Sequence, residues 1–120
     1  MLHEELTGQV LEAAFEVSRE LGHGFLETVY RNALAVALSE RGFKLETECP
    51  FQVLFHGVSV GEYRADLVID HLVLLEIKAV KSLLPEHQAQ LINYLKVSQV
   101  PVGLLLNFGA PKLEFRRCHS

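Results

Sequence analysis

Two apolar segments flanking a helix-patterned stretch constrain this chain more than anything else in it. Val102–Phe108 is apolar at almost every position, the texture of a strand covered on both faces. Leu72–Val80 reads the same way, apart from two charges at Glu76 and Lys78. Between them, Pro85 suits the first turn of a helix running to about Lys96, which ends before Pro101. Strand, helix and strand in that order predict a right-handed parallel crossover.

The rest of the chain supplies the elements around that unit. Leu6, Val10, Ala13, Ala14, Val17 and Leu21 recur at helical spacing, and Gly22 is placed to cap this first helix. A second helix is expected from about Leu26 to Arg41, with Tyr30, Leu34, Ala37 and Leu38 as its core stripe and Gly42 as its stop. From Phe43 the texture turns β-branched and aromatic. Thr47–Phe55 and Val58–Ile69 read as strands joined by a His56-Gly57 turn, the second bent at Gly61. Gly109-Ala110-Pro111 is a turn, and Lys112–Cys118 a short polar strand at an edge. The predicted order is α-α-β-β-β-α-β-β: an α/β fold whose mixed sheet joins an antiparallel meander to the parallel crossover, flanked by helices. At 120 residues the chain suits one domain, 1–120.

With 49% hydrophobic residues and a net charge of −4, the composition excludes disorder and a uniformly basic nucleic-acid binder. The charge is unevenly spread. Residues 1–30 carry six acids against one base, and the remainder nine acids against ten bases. Cys49 and Cys118 have no CxxC or metal-ligand spacing and read as separate free thiols in a reducing compartment. The acidic start lacks the pattern of a signal peptide, and the apolar runs are too short to span a bilayer. Both point to a soluble, cytoplasmic protein without membrane partners.

Several polar residues sit where polar residues are unfavourable. Glu27 extends the stripe of Tyr30 and Leu34 toward the core, where a carboxylate must be paired, metal-bound or neutral. Alternatively it is a first-turn glutamate that suits the helix dipole and pairs with Arg31. Asp66 interrupts a strand of Tyr63, Ala65, Leu67, Val68 and Ile69. Glu76 and Lys78 share one face of an expected central strand with Leu72, Leu74 and Val80. They form either an internal ion pair or part of a site, and buried pairs contribute little net stability. A two-residue loop at Asp70-His71 would place Asp66 and Glu76 on opposite faces. A three-residue loop pairing Ile69 with Val73, or a bulge, lets them converge. On the third helix Gln90 and Tyr94 share a face, with His87 one turn earlier. They are either a solvated patch or part of the same site, and Ala89, Ile92 and Leu95, with Gln88, are left to pack on the sheet.

These residues resemble a known family. Gly24-Phe25-Leu26-Glu27-Thr28-Val29-Tyr30, preceded by Gly22-His23, is similar to the GxxExxY signature. Asp66 followed by Glu76-Ile77-Lys78 resembles the D…ExK core of the PD-(D/E)XK nuclease superfamily, with Ala65 where the name has proline. Gln90-Leu91-Ile92-Asn93-Tyr94 resembles the QxxxY motif of its recombination-exonuclease branch. The resemblance implies a restriction-endonuclease-like fold and a metal-dependent phosphodiesterase. Asp66, Glu76 and the Ile77 carbonyl would hold Mg²⁺ or Mn²⁺, with Glu27 completing or orienting the shell. Lys78 would orient the attacking water, and Gln90 and Tyr94 would position water, lysine or phosphate.

The implied partner is nucleic acid, DNA in preference to RNA, and substrate recognition would come from a homodimer or a larger complex. Arg116 and Arg117 on the last strand, with Lys81 and Lys96, are candidates for backbone contact. The arginine pair reads equally as charge guarding an edge strand. A non-catalytic nucleic-acid or protein-binding module on the same fold is the competing reading. A binder of small phosphorylated ligands would need a Gly-rich loop that the chain lacks.

Overall fold

A computed structural model describes residues 2–119. The first amphipathic segment forms α1 (Glu4–Leu21), whose buried residues are Thr7, Val10, Ala13, Ala14 and Val17. The chain turns at Gly22 (φ 68°) into α2 (Glu27–Glu40), which buries the expected stripe of Tyr30, Leu34, Ala37 and Leu38. β1 (Leu45–Phe55) and β2 (Val58–Ile69) then form a long hairpin around His56 and Gly57, both at positive φ. A register shift between Val53 and Leu54, across from Gly61, supplies the bend expected in β2. β3 (Val73–Lys78), α3 (Pro85–Ser98), β4 (Val102–Asn107) and β5 (Glu114–His119) complete the order.

The sheet runs β1-β2-β3-β4-β5, parallel only between β3 and β4. One core lies between the sheet and α1/α2; a smaller one lies beneath α3. The expected mixed sheet with flanking helices is therefore the observed fold. No described helix is long and apolar enough to cross a membrane.

Three local readings are corrected. β3 is shorter than 72–80, and Leu72 packs into the α1/α2 core instead of sharing a face with Leu74. It closes the turn, donating its N–H to the Ile69 carbonyl at 2.9 Å. On α3 the buried residues are Leu91 and Leu95, while Ala89 is exposed. Gly103 is the reason: a Cβ there would crowd the tips of both leucines, so its absence lets α3 settle on that line. Finally, Arg31 pairs with Glu48 at 3.3 Å, not with Glu27.

Candidate active site

The β2–β3 turn has three residues, Asp70-His71-Leu72, with the first two at positive φ. Ile69 consequently pairs with Val73, followed by Val68 with Leu74 and Leu67 with Leu75. This is the parity that convergence required, and one step further the same register sets Asp66 opposite Glu76. The ladder ends there. Asp66 Oδ2 accepts the Ile77 N–H at 2.7 Å, so a side-chain oxygen takes the place of a neighbouring strand's carbonyl. Leu67 and Ile69 face the α1/α2 core, but Ala65 and Tyr63 face the α3 core. The inward phase of β2 thus reverses at Asp66, and β2 leaves β3 at the position where the carboxylates meet.

Glu76 is buried, 7% exposed. Its Oε1 accepts a hydrogen bond from the Tyr63 hydroxyl. Burial and the neighbouring Asp66 charge push the Glu76 carboxyl up to about 7, opposed by the Tyr63 bond and by Lys78. Asp66 is also raised, by burial above all, although the Ile77 N–H, Arg31 and Lys78 favour its ionised form. Lys78 is half-buried, and its Nζ lies 3.5 Å from Gln90 Oε1 on α3. Tyr94, one turn beyond Gln90, stacks on Tyr63 with ring centroids 3.6 Å apart. Burial and the Glu76 charge raise the hydroxyls of Tyr63 and Tyr94 above their ordinary range. The α3 motif therefore reaches the carboxylates from two sides, through Lys78 and through Tyr63.

Tyr63 went unnoticed in the sequence because a strand tyrosine three residues before Asp66 reads as core. Asn107 does carry a signal, a polar amide inside an apolar strand, but it belongs to no motif of the site. It is fully buried: its Oδ1 accepts from Val80 N (2.9 Å) and Gly109 N (3.0 Å), and its Nδ2 donates to Val80 O (2.9 Å) and Glu114 Oε1 (2.8 Å). Those bonds fasten the segment that leaves β3 immediately after Lys78. Gly109 completes the junction, since a Cβ there would collide with the Val80 main chain.

The remaining candidates lie further out. Glu27 is exposed in the first turn of α2 and has no ion-pair partner among the described residues, so the apolar stripe stops at Tyr30. Tyr30 itself has a structural task. Its hydroxyl donates to Gly22 O at 2.6 Å and accepts from Phe25 N at 3.2 Å, while its ring stacks on Phe108 with centroids 4.9 Å apart. Tyr30→Phe is expected to keep the stack, free the 22–25 loop and cost about 1–2 kcal/mol in urea denaturation.

Arg117 donates to Thr7 Oγ1 at 2.9 Å and to the Leu2 carbonyl, tying β5 to α1. Arg116 is exposed beside Pro85 and Gln88 at the start of α3. Lys96 lies near Gln52 and Leu54 of β1, and Lys81 is exposed in the loop after β3. Both cysteines are free.

The donor set can be tested against a hard cation. Among the described residues no three His, Cys, Asp or Glu side chains gather into a metal cage. Asp66 and Glu76, with the adjoining Ile77 carbonyl, still offer oxygen donors only. Mg²⁺ keeps several waters and commonly uses one or two carboxylates. Two neighbouring carboxylates that resist ionising together are the electrostatic setting a divalent cation relieves. The residues fit such an ion.

The chain is thus an α/β domain with a mixed five-stranded sheet, in which Asp66 and Glu76 meet where β2 leaves β3. A sequence profile of the PD-(D/E)XK nuclease superfamily matches residues 4–118, and the chain belongs to that superfamily. Among solved structures, the crystal structure of SSO0001 superposes with a TM-score of 0.60 at 21% identity, a likeness of fold. The alignment covers 98% of this chain, which spans 59% of that one. No curated protein matches the chain.

Proposed function

We propose that the protein is a divalent-metal-dependent nuclease hydrolysing phosphodiester bonds, of DNA in preference to RNA. The observation that supports this most is the arrangement of Asp66, Glu76 and Lys78 at the end of the β2–β3 ladder. Asp66, Glu76 and the Ile77 carbonyl would hold Mg²⁺ or Mn²⁺, which when bound polarises the phosphoryl oxygen and lowers the pKa of a coordinated water. Lys78, steadied by Gln90, orients the attacking water and offsets charge developing on the phosphate. Tyr63 aims one Glu76 oxygen, and Tyr94 supports Tyr63 by stacking. Glu27, exposed in the first turn of α2, would complete or orient the metal's shell, as the family resemblance implies. Gly24, Glu27 and Tyr30 support the narrower GxxExxY assignment, and a cytoplasmic setting suits the free thiols.

One observation favours the second reading, a non-catalytic binding module. The buried Glu76 carboxyl already accepts a hydrogen bond from the Tyr63 hydroxyl, so one of its oxygens has a partner without an ion. Calorimetric Mn²⁺ titration, with cleavage assays on single- and double-stranded DNA, separates the two. The nuclease reading expects binding that Glu76→Ala removes, and cleavage that Lys78→Ala lowers about a thousandfold. Metal binding without cleavage would favour the module.

A further inference from the structure

Arg31 and Glu48 are charged neighbours of Asp66 that the reaction above leaves without a task. The Arg31 side chain is 19% exposed, and its Nη1 lies 3.3 Å from Glu48 Oε1. Its Nε is buried with no hydrogen-bond partner. A guanidinium carries five N–H donors in a planar fork, so a single ion-pair contact leaves most of this one unused. Its partner Glu48 is the β1 residue that the strand register sets opposite Asp66.

Glu48 holds an unusual position. The pairs Thr47↔Leu67 and Cys49↔Ala65 bracket it, which sets it opposite Asp66 across the sheet. Its φ is 48°, a left-handed conformation in the middle of a strand. Non-glycine residues hold that conformation at a cost and cluster at functional sites. Leu45 faces the α1/α2 core, whereas Cys49, Phe51 and Val53 face the α3 core, so β1 reverses phase at Glu48 as β2 does at Asp66.

A phosphodiester approaching Asp66 and Glu76 meets two carboxylates and needs cations around it. Lys78 supplies one on the α3 side. Arg31 stands on the α2 side, held by a carboxylate that is 58% exposed. Exposed ion pairs are worth about 0–1 kcal/mol, whereas arginine and phosphate can form two parallel charge-assisted bonds. We propose that Arg31 is a binding residue for a phosphate of the nucleic-acid backbone, with Glu48 as the resting counter-ion that the phosphate displaces. This rests on the nuclease reading for its ligand class.

The test is fluorescence anisotropy of a labelled single-stranded oligonucleotide, titrated with full-length protein in Ca²⁺ over a range of salt. Arg31→Ala is expected to weaken binding about tenfold and to lower the slope of log K against log salt by about 0.7, as for one lost phosphate contact. Arg31→Lys should keep the slope and recover part of the affinity, guarding against a folding artefact. Glu48→Gln should bind more tightly than wild type. Unchanged binding by Arg31→Ala would overturn the inference and leave the nuclease reading intact. Glu48→Gln binding as weakly as Arg31→Ala would also overturn it, since the pair would then be structural. If the wild type binds no oligonucleotide, both readings fall.

Discussion

Glu76→Gln is expected to stabilise the metal-free protein above neutral pH by about 3 kcal/mol while abolishing its Mn²⁺ binding. The carboxyl titrates near 7 in the folded protein against an ordinary value of 4.5. Below 4.5 it is neutral whether the chain is folded or not, and it carries no penalty. Between 4.5 and 7 the unfolded chain ionises first, so the folded state is progressively disfavoured. Above 7 the whole penalty is present. Asp66, raised for the same kind of reason, adds in the same direction. Glutamine keeps the oxygen that accepts from Tyr63 but has no charge to desolvate. The difference between wild type and variant in urea denaturation should therefore grow from near zero at pH 4.5 to its maximum above pH 7. Mn²⁺ should raise the wild-type melting temperature most on the alkaline side and leave the variant unmoved. A pH-independent difference would mean that Glu76 ionises in the fold without cost. A carboxyl raised in this way destabilises the metal-free protein that carries it, which fits the ligand role proposed for Glu76.

Asn107→Ala is expected to cost about 3–5 kcal/mol, a large fraction of what a domain of this size possesses. The substitution leaves Val80 N, Val80 O and Gly109 N without their partner at a fully buried position. Val80 and Gly109 are themselves half-buried, so each unmet group costs toward the lower end of about 1–3 kcal/mol. Asn107→Asp separates the two sides of the amide. It retains an acceptor for Val80 N and Gly109 N, but loses the donor and sets a second carboxylate against Glu114, which lies 2.8 Å from Asn107 Nδ2. Chemical denaturation should rank wild type above both variants. The effect extends to the site, because Phe108 N donates to Lys78 O at 2.9 Å within the same junction. In assays below the melting transition, cleavage by Asn107→Ala should fall with little change in Mn²⁺ affinity, since Asp66 and Glu76 are held by β2 and β3 instead. A loss below about 1 kcal/mol would indicate that solvent replaces the amide.

Much of this protein could be read along the chain because helices and strands write their periods locally. The stripe of Tyr30, Leu34, Ala37 and Leu38 is buried as its 3.6-residue spacing implies, and Val58–Ile69 is a strand over its full expected length. Asp66, Glu76 and Lys78 stood out for a related reason: an ionisable residue in an apolar strand violates the pattern around it. Where the violation is weaker or absent, a residue's role cannot be read along the chain. Tyr63 looks like an ordinary core residue, Asn107 is an uncharged amide outside any motif of the site, and their partners lie 13 and 27 positions away. Leu91 was passed over on α3 because the missing side chain of Gly103, on another element, chooses which face of that helix packs.

The local code thus settles which residues are helical, which are extended and which carboxylates are out of place. Whether those carboxylates meet is a matter of parity. One residue more or fewer in the Asp70-His71-Leu72 turn reverses every side chain on the partner strand, and turn propensity alone permits either count. Packing resolves it, because only pairing Ile69 with Val73 puts both into the core beneath α1 and α2. The apolar residues on β2 and β3 choose the register, and the register brings Asp66 to Glu76.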